Sequence, residues 1–180
     1  MGQPLTVPTD HERVAALLGR LRAKVGDIEF GYRAQGLFAH VLNEIGASVL
    51  EVNNTGHPDI TALLEGRLTR VEVEISSIGK RYHVIKKDDA HAIAPTTERN
   101  EQGYLAVLDI AEPVRWAPIE YSRIRHRLGR QPVATLHALA DRKFAKTCND
   151  AFVEIIIANA ERLPALTFHR LCQGVRPRNF

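Results

Sequence analysis

Cysteine is scarce in this chain: its 180 residues include only Cys148 and Cys172. Two thiols are too few for a disulfide framework, so we expect free thiols in a reducing compartment. No apolar run approaches the roughly 18 residues that a transmembrane helix needs. The first residues also lack the charged and apolar regions of a signal peptide. These absences predict a cytoplasmic protein that is not a membrane protein.

Signatures of zinc and thiol chemistry are also missing. The chain has no CxxC pair, and His83 and His91 are too far apart for the i, i+4 pair of a helical zinc site. No motif around Cys148 indicates a thiol nucleophile. The formal net charge of +3 permits nucleic-acid binding but does not demonstrate it.

Hydrophobic periodicity in the first half of the chain predicts two helices followed by three strands. Thr9 and Glu12 form a capping-box pattern for a helix that ends near Lys24. We expect Asp27 to cap a second amphipathic helix that ends before Gly46. Alternating or short apolar runs predict strands over residues 48–52, 59–64 and 68–75.

The second half has a mixed pattern. We expect a loop and then a helix over 79–93, a buried strand over 103–110 and an edge strand over 114–121. Helices are predicted over 122–128, 133–145, 150–163 and 165–172, with a strand as the alternative for the apolar run 152–157.

The predicted fold class is therefore α/β, with a mixed sheet flanked by helices. Its core spans 1–118, and a C-terminal helical extension over 119–180 belongs to the same compact unit.

Three carboxylates fall on adjacent predicted strands. Asp59 opens one strand, and Glu72 and Glu74 lie two residues apart on the next, so their side chains share a face. Clustered carboxylates repel one another unless a cation joins them. Oxygen ligands suit a hard divalent ion such as Mg²⁺ or Mn²⁺, which predicts metal-assisted phosphodiester hydrolysis.

The order of elements, the Pro58-Asp59 pair and Glu72 in the third strand resemble the PD-(D/E)xK nuclease superfamily. Residues 32–110 are most similar to its Holliday-junction-resolvase branch. The resemblance implies a restriction-endonuclease-like fold and metal-dependent endonuclease action on DNA. It also implies that Asp59 and Glu72 hold Mg²⁺, that the main-chain carbonyl at Val73 completes the coordination, and that Glu74 holds metal or activates water.

Two positions depart from the family pattern. Glu74 stands where the family has a lysine, and Gln35 stands where a helix glutamate often faces the metal. Gln35 retains an oxygen able to contact metal but loses the charge. Among the lysines that would substitute, Lys80 is the closest in sequence, and Lys86 and Lys87 are the alternatives. If both changes weaken metal binding, the chain would be a DNA-binding or assembly subunit without cleavage. We expect DNA as the partner, and a homodimer or a larger nuclease complex as the assembly.

Basic residues supply the candidate DNA contacts. Arginines neutralise phosphate charge and release counterions, and the densest cluster consists of Arg123, Arg125, Arg127 and Arg130. An ordinary solvated helix face is the alternative. His57 is a candidate phosphate contact beside Pro58-Asp59. Asp88 and Asp89 are interpreted as an N-terminal cap and dipole partners of a helix, with a second set of metal ligands as the alternative. An interaction protein whose fold only mimics the nuclease pattern remains a further possibility.

Overall fold

A five-stranded mixed sheet with helices on both faces forms the centre of the molecule, and a long helix follows at the C-terminal side. The computed structural model describes residues 8–53, 57–76, 81–96, 100–111 and 113–160. This architecture confirms the predicted α/β class. Within these ranges, none of the helices is long and apolar enough to cross a bilayer.

The helices are α1 (Asp10–Val25), α2 (Asp27–Glu44), α3 (Lys87–Ala92), α4 (Tyr121–Ile124), α5 (Val133–Leu139) and α6 (Arg142–Ala158). The strands are β1 (Ser48–Val52), β2 (Ile60–Leu64), β3 (Arg67–Ser76), β4 (Tyr82–Ile85), β5 (Glu101–Asp109), β6 (Arg115–Glu120) and β7 (Gly129–Pro132).

The sheet order is β1-β2-β3-β5-β6. β2 and β3 form an antiparallel hairpin, whereas β3 pairs with β5 in parallel, in a register that sets Glu72 opposite Leu105 and Glu74 opposite Val107. The connection between these two parallel strands contains β4 and α3. α3 is therefore the helix that follows the strand carrying the predicted carboxylates.

The first helix begins as predicted, with a complete capping box between Thr9 and Glu12. The prediction that Asp27 caps the second helix is wrong, because Gly26 occupies the N-cap position and Asp27 is the first helical residue. Gly26 has a φ of 83°, a value that favours glycine, and its N–H donates to the carbonyl of Arg22 to end α1. One glycine thus separates two consecutive helices.

Each face of the sheet has its own apolar core. On one face, Val71 and Val73 of β3 pack with α1, α2 and α6, in a core that also contains Phe38, Trp116 and Phe152. The other face packs with α3, α4 and α5, in a second core that contains the following residues: Ile85, Ile93, Leu105, Val107, Ile119 and Leu136. Because side chains alternate along a strand, Glu72 and Glu74 face the second group of helices.

The predictions for 79–93 and for the C-terminal half need correction. β4 lies where a loop was predicted, and β7 lies between the helices predicted over 122–128 and 133–145; the two strands pair with each other. That pairing joins distant segments, so local periodicity does not reveal it. The basic helix predicted over 122–128 ends at Ile124.

The prediction of one helix over 133–145 is also wrong, because two helices, α5 and α6, occupy this range. Asp141 accepts a hydrogen bond from the N–H of Phe144 and starts α6 as a new helix. The run 152–157 lies inside α6 and is helical rather than extended. α6 contacts α1, α2 and β6. The domain boundary after residue 118 stays a prediction. The helix predicted over 165–172 lies outside the described residues.

Gly103 permits a close approach between β5 and the end of α3. A Cβ atom at this position would overlap the carbonyl oxygen of Ile93, which directly follows α3. A main-chain carbonyl cannot turn away as a flexible side chain can, so only glycine fits without displacing the helix.

We predict that Gly103→Ala destabilises the protein, because the added methyl group forces α3 and β5 apart. Overpacking of this kind costs about 1–3 kcal/mol. Gly19→Ala is the matched control: a Cβ at this helical position meets nothing within 4 Å, and alanine stabilises a helix interior by about 0.5–1 kcal/mol. Urea unfolding measures both, and equal stability of Gly103→Ala and wild type would contradict the close approach.

Candidate functional site

Asp59 lies at the point where β2 and β3 separate. Ile60 and Val71 form the last residue pair of the hairpin on this side. Beyond it, the N–H of Val73 donates to Oδ2 of Asp59 at 2.8 Å, and Nε2 of Gln35 on α2 donates to Oδ1 at 2.8 Å. Asp59 is thereby attached to β3 and α2 at once. Gln35 therefore lies beside the carboxylates, and its role toward a metal stays a prediction.

Glu72 lies next to Asp59 and is almost completely buried, with 2% of its surface exposed. Its Oε2 accepts a hydrogen bond from the main-chain N–H of Asp59 at 3.0 Å. Its Oε1 contacts Nδ1 of His57, whose side chain is half exposed. His57 therefore connects the buried carboxylate with solvent.

Asp89 is the acidic residue that α3 adds to this group. One side-chain ligand atom from each of His57, Glu72 and Asp89 lies within 4.8 Å of the others. Asp89 is only 3% exposed, and its Oδ2 makes no hydrogen bond to any other described residue. The sequence offered this residue as a helix-terminal acid, and its burial against Glu72 becomes visible only once α3 packs on the sheet.

Glu74 lies two residues farther along β3 and faces two basic groups. Nζ of Lys86 is 3.6 Å from Oε1 of Glu74 and 3.6 Å from Oδ2 of Asp89. Nε2 of His83, on β4, is 4.0 Å from Oε2 of Glu74. Lys86 is thus the lysine that the fold brings to the carboxylates, whereas Lys80 lies outside the described residues.

Burial weakens the acidity of these carboxyl groups. It raises the pKa of Glu72 to about 7, with the negative charge of Asp59 adding to the shift. It also raises the pKa of Glu74 to about 7, although the charge of Lys86 acts in the opposite direction. Burial raises the pKa of Asp59 too, against the hydrogen bond from Val73. The hydrogen bond to Glu72 raises the pKa of His57. The raised pKa values of the carboxyl groups thus follow mainly from burial, and His57 and Lys86 compensate the negative charge in part.

A cleft with a volume of about 220 Å³ opens beside these groups. Its walls include Gly31 and Gln35 of α2 and Val73 and Glu74 of β3. Solvent can therefore approach the end of β3 from the α2 side as well as from the side of His57.

The four predicted DNA-binding arginines do not share one helix. Arg123 donates to the carbonyls of Leu139 and Ala140 at 3.0 and 3.4 Å and so ties α4 to the end of α5. Arg125 and Arg127 are exposed in the turn that follows α4. Arg130 lies on β7, with its guanidinium 4.1 Å from the ring centre of Tyr82 on β4. Their role in DNA binding stays a prediction.

Similarity to known proteins adds no family name to this geometry. The chain matches no protein-family model, and no curated protein is similar to it in sequence. The resemblance to the PD-(D/E)xK superfamily therefore remains a hypothesis based on Pro58-Asp59, Glu72 and the order of the strands.

We predict that Glu74 lowers the free energy of unfolding of the metal-free protein as the pH rises from about 4.5 to about 7. Its folded pKa is raised from 4.5 to about 7, so the folded state retains a proton that the unfolded state releases in this window. In Glu74→Gln, the free energy of unfolding should therefore fall by roughly 1–3 kcal/mol less over this pH range than in wild type.

The measurement is urea unfolding in chelator at several pH values. Burial lowers the pKa of His83, which gives a pH dependence of opposite sign, but both proteins share it and it cancels in the comparison. Glu154→Gln, at an exposed position of α6, is the control and should follow wild type. Parallel pH profiles for wild type and Glu74→Gln would contradict the prediction.

Proposed function

We propose that this chain is a metal-dependent endonuclease that hydrolyses phosphodiester bonds in DNA. The observation that carries the proposal is the convergence of His57, Glu72 and Asp89, whose ligand atoms lie within 4.8 Å of one another. Asp59 adjoins this group through its main-chain N–H, which donates to Glu72. An acidic cluster of this kind, beside a cleft, is typical of sites that hold a divalent cation.

The donor set fits a divalent cation. Asp89 has a buried carboxylate oxygen that makes no hydrogen bond to the described residues and lies 3.6 Å from Nζ of Lys86. Burial raises the pKa of Asp59 and Glu72, and a bound cation would stabilise their charged forms. The carbonyl of Val73 is a further candidate ligand, because the N–H and C=O groups of one strand residue point to the same neighbour, here Asp59. Oxygen donors suit Mg²⁺ and Mn²⁺.

The identity of the cation depends on His57. A site made of carboxylates and carbonyls alone favours Mg²⁺, whereas an imidazole nitrogen shifts preference toward transition metals. Participation of His57 would therefore favour Mn²⁺ over Mg²⁺. When bound, the cation would polarise the phosphate and lower the pKa of water.

Residues around the cluster have the properties that phosphodiester hydrolysis requires. Glu74, with a pKa of about 7, is suited to accept a proton from the attacking water near neutral pH. Lys86, 3.6 Å from Glu74, can stabilise negative charge on the phosphate, the role of the lysine that β3 lacks. Gln35 holds the Asp59 carboxylate in place through its hydrogen bond. Cleavage would leave a 3′-hydroxyl and a 5′-phosphate.

A non-catalytic DNA-binding or assembly subunit is the second candidate, within a defence, repair or transposition complex in the cytoplasm. It is favoured by one observation: Gln35 donates an amide N–H to Asp59, so the helix contributes no negative charge to the cluster. DNA binding without metal binding would distinguish this subunit from a nuclease.

We predict that Glu72→Gln weakens Mn²⁺ binding by at least about 10- to 100-fold, because it removes a charged ligand. Isothermal titration calorimetry with Mn²⁺ measures this effect, and nicking of supercoiled plasmid measures cleavage. Glu154→Gln is the control and should retain both activities. Undiminished Mn²⁺ affinity in Glu72→Gln would remove the proposed metal centre.

We also predict that Lys86→Ala reduces the cleavage rate by about 10²- to 10³-fold, a usual effect of losing a group that stabilises transition-state charge. Mn²⁺ affinity should not fall, because the substitution removes a positive charge from beside Asp89. Lys143→Ala changes an exposed lysine on α6, away from the cluster, and is the control. Equal cleavage rates for the two variants would argue against a role for Lys86.

A further inference from the structure

The antiparallel ribbon formed by β4 and β7 has one face toward the protein and one toward solvent. His83 and Ile85 point inward, toward Glu74 and the second core. Tyr82 and Val84 point outward and are 45% and 52% exposed. The opposite strand alternates in the same way, with Arg130 exposed and paired in register with Val84. An aromatic ring, an aliphatic side chain and an arginine therefore share the outer face.

The segments that contain and flank β4 and β7 are positively charged. Residues 81–87 and 121–132 contain no Asp or Glu, and their basic residues are Arg81, Lys86, Lys87, Arg123, Arg125, Arg127 and Arg130. Apart from the contacts of Lys86 with Glu74 and Asp89, these residues form no ion pair within the described part of the chain. A polyanion is the ligand that complements such a surface.

Tyr82 adds an exposed aromatic ring to this basic surface, which phosphate binding alone does not require. The guanidinium of Arg130 lies 4.1 Å from the centre of its ring, yet nearly half of the residue is still exposed. Proteins that bind single-stranded nucleic acid combine basic grooves with aromatic rings on which bases stack, and arginine planes also stack on bases.

We propose that the outer face of the β4–β7 ribbon binds unpaired nucleotides of DNA, with a base stacked on Tyr82 and phosphates bound by Arg125 and Arg127. The bases of an intact duplex are stacked on one another and offer no free face to Tyr82, so the ribbon selects single strands and the unpaired positions of branched DNA. The proposal rests on the proposed function, and it names the substrate class of that site.

The position of the ribbon relative to the carboxylates supports this substrate class. His83, next to Tyr82 on β4, is 4.0 Å from Glu74. Lys86 directly follows β4 and contacts Glu74 and Asp89. The ribbon therefore carries Tyr82 on its outer face and contacts Glu74, beside the proposed metal centre, with its inner face, so the two sites belong to one continuous part of the molecule.

The test is fluorescence anisotropy in chelator, which prevents cleavage, with a labelled single-stranded oligonucleotide and a blunt duplex of the same sequence. Wild type should bind the single strand more tightly. Tyr82→Ala should weaken binding of the single strand by about 5- to 100-fold, the usual effect of losing one stacked base, and change duplex binding less than about twofold. Tyr82→Phe retains the ring and should bind as wild type does.

A double variant, Arg125→Ala with Arg127→Ala, tests the phosphate contacts. It should weaken binding of both DNAs and reduce the salt dependence by the slope of about one or two phosphate contacts. Arg13→Ala, on an exposed turn of α1, is the control and should leave the slope unchanged.

The outcomes separate this inference from the proposed function. If Tyr82→Ala binds single strands as wild type does, or if wild type prefers duplex, the inference is overturned while the metal centre stands. If Tyr82→Ala loses single-strand affinity but Mn²⁺ binding is absent, the inference stands and the nuclease proposal fails. If wild type is a dimer in sedimentation and Tyr82→Ala is monomeric with unchanged DNA affinity, the ribbon is a self-association surface, which also overturns the inference.

Discussion

The carboxylate of Asp59 connects three elements at the open end of the β2–β3 hairpin. It accepts one hydrogen bond from Val73 of β3 and one from Gln35 of α2, and its own main-chain N–H donates to Glu72. Beyond Ile60 the two strands no longer pair, and these contacts supply hydrogen-bond partners for main-chain and side-chain groups that are largely buried. The position of Glu72, and therefore of the acidic cluster, depends on them.

The local charge balance distinguishes this end of the sheet from the rest, which is an ordinary apolar core. Several carboxyl groups are buried here, whereas the side chain of His57 is half exposed and that of Lys86 is 66% exposed. Protonation relieves the imbalance, as the raised pKa values of Glu72 and Glu74 indicate. A divalent cation would relieve it as well, so cation uptake at neutral pH is expected to release protons.

The sequence was sufficient where the determining interactions are local. The β2–β3 hairpin, the shared face of Glu72 and Glu74, and the capping box at Thr9 all follow from patterns within a few residues. The contribution of Asp89 was not foreseeable to the same degree, because it depends on how α3 packs against β3. Lys80 was favoured for its proximity in sequence, whereas the chain brings Lys86 to Glu74 through β4, whose partner strand lies more than forty residues farther along. The arginines of 123–130 were predicted to contact phosphates, with a solvated helix face as the alternative, but they do not share one helix, because Gly129, with a φ of 86°, starts a strand.

Gly103 carries no functional group and lies on a strand that contributes none of the carboxylates, yet it limits how far α3 can be from the sheet. Asp89 and Lys86 occupy the start of that helix, so their distance from Glu72 and Glu74 is set partly by a missing methyl group across the sheet. Anyone who transfers this acidic cluster to another protein would therefore have to transfer a glycine on the adjoining strand with it.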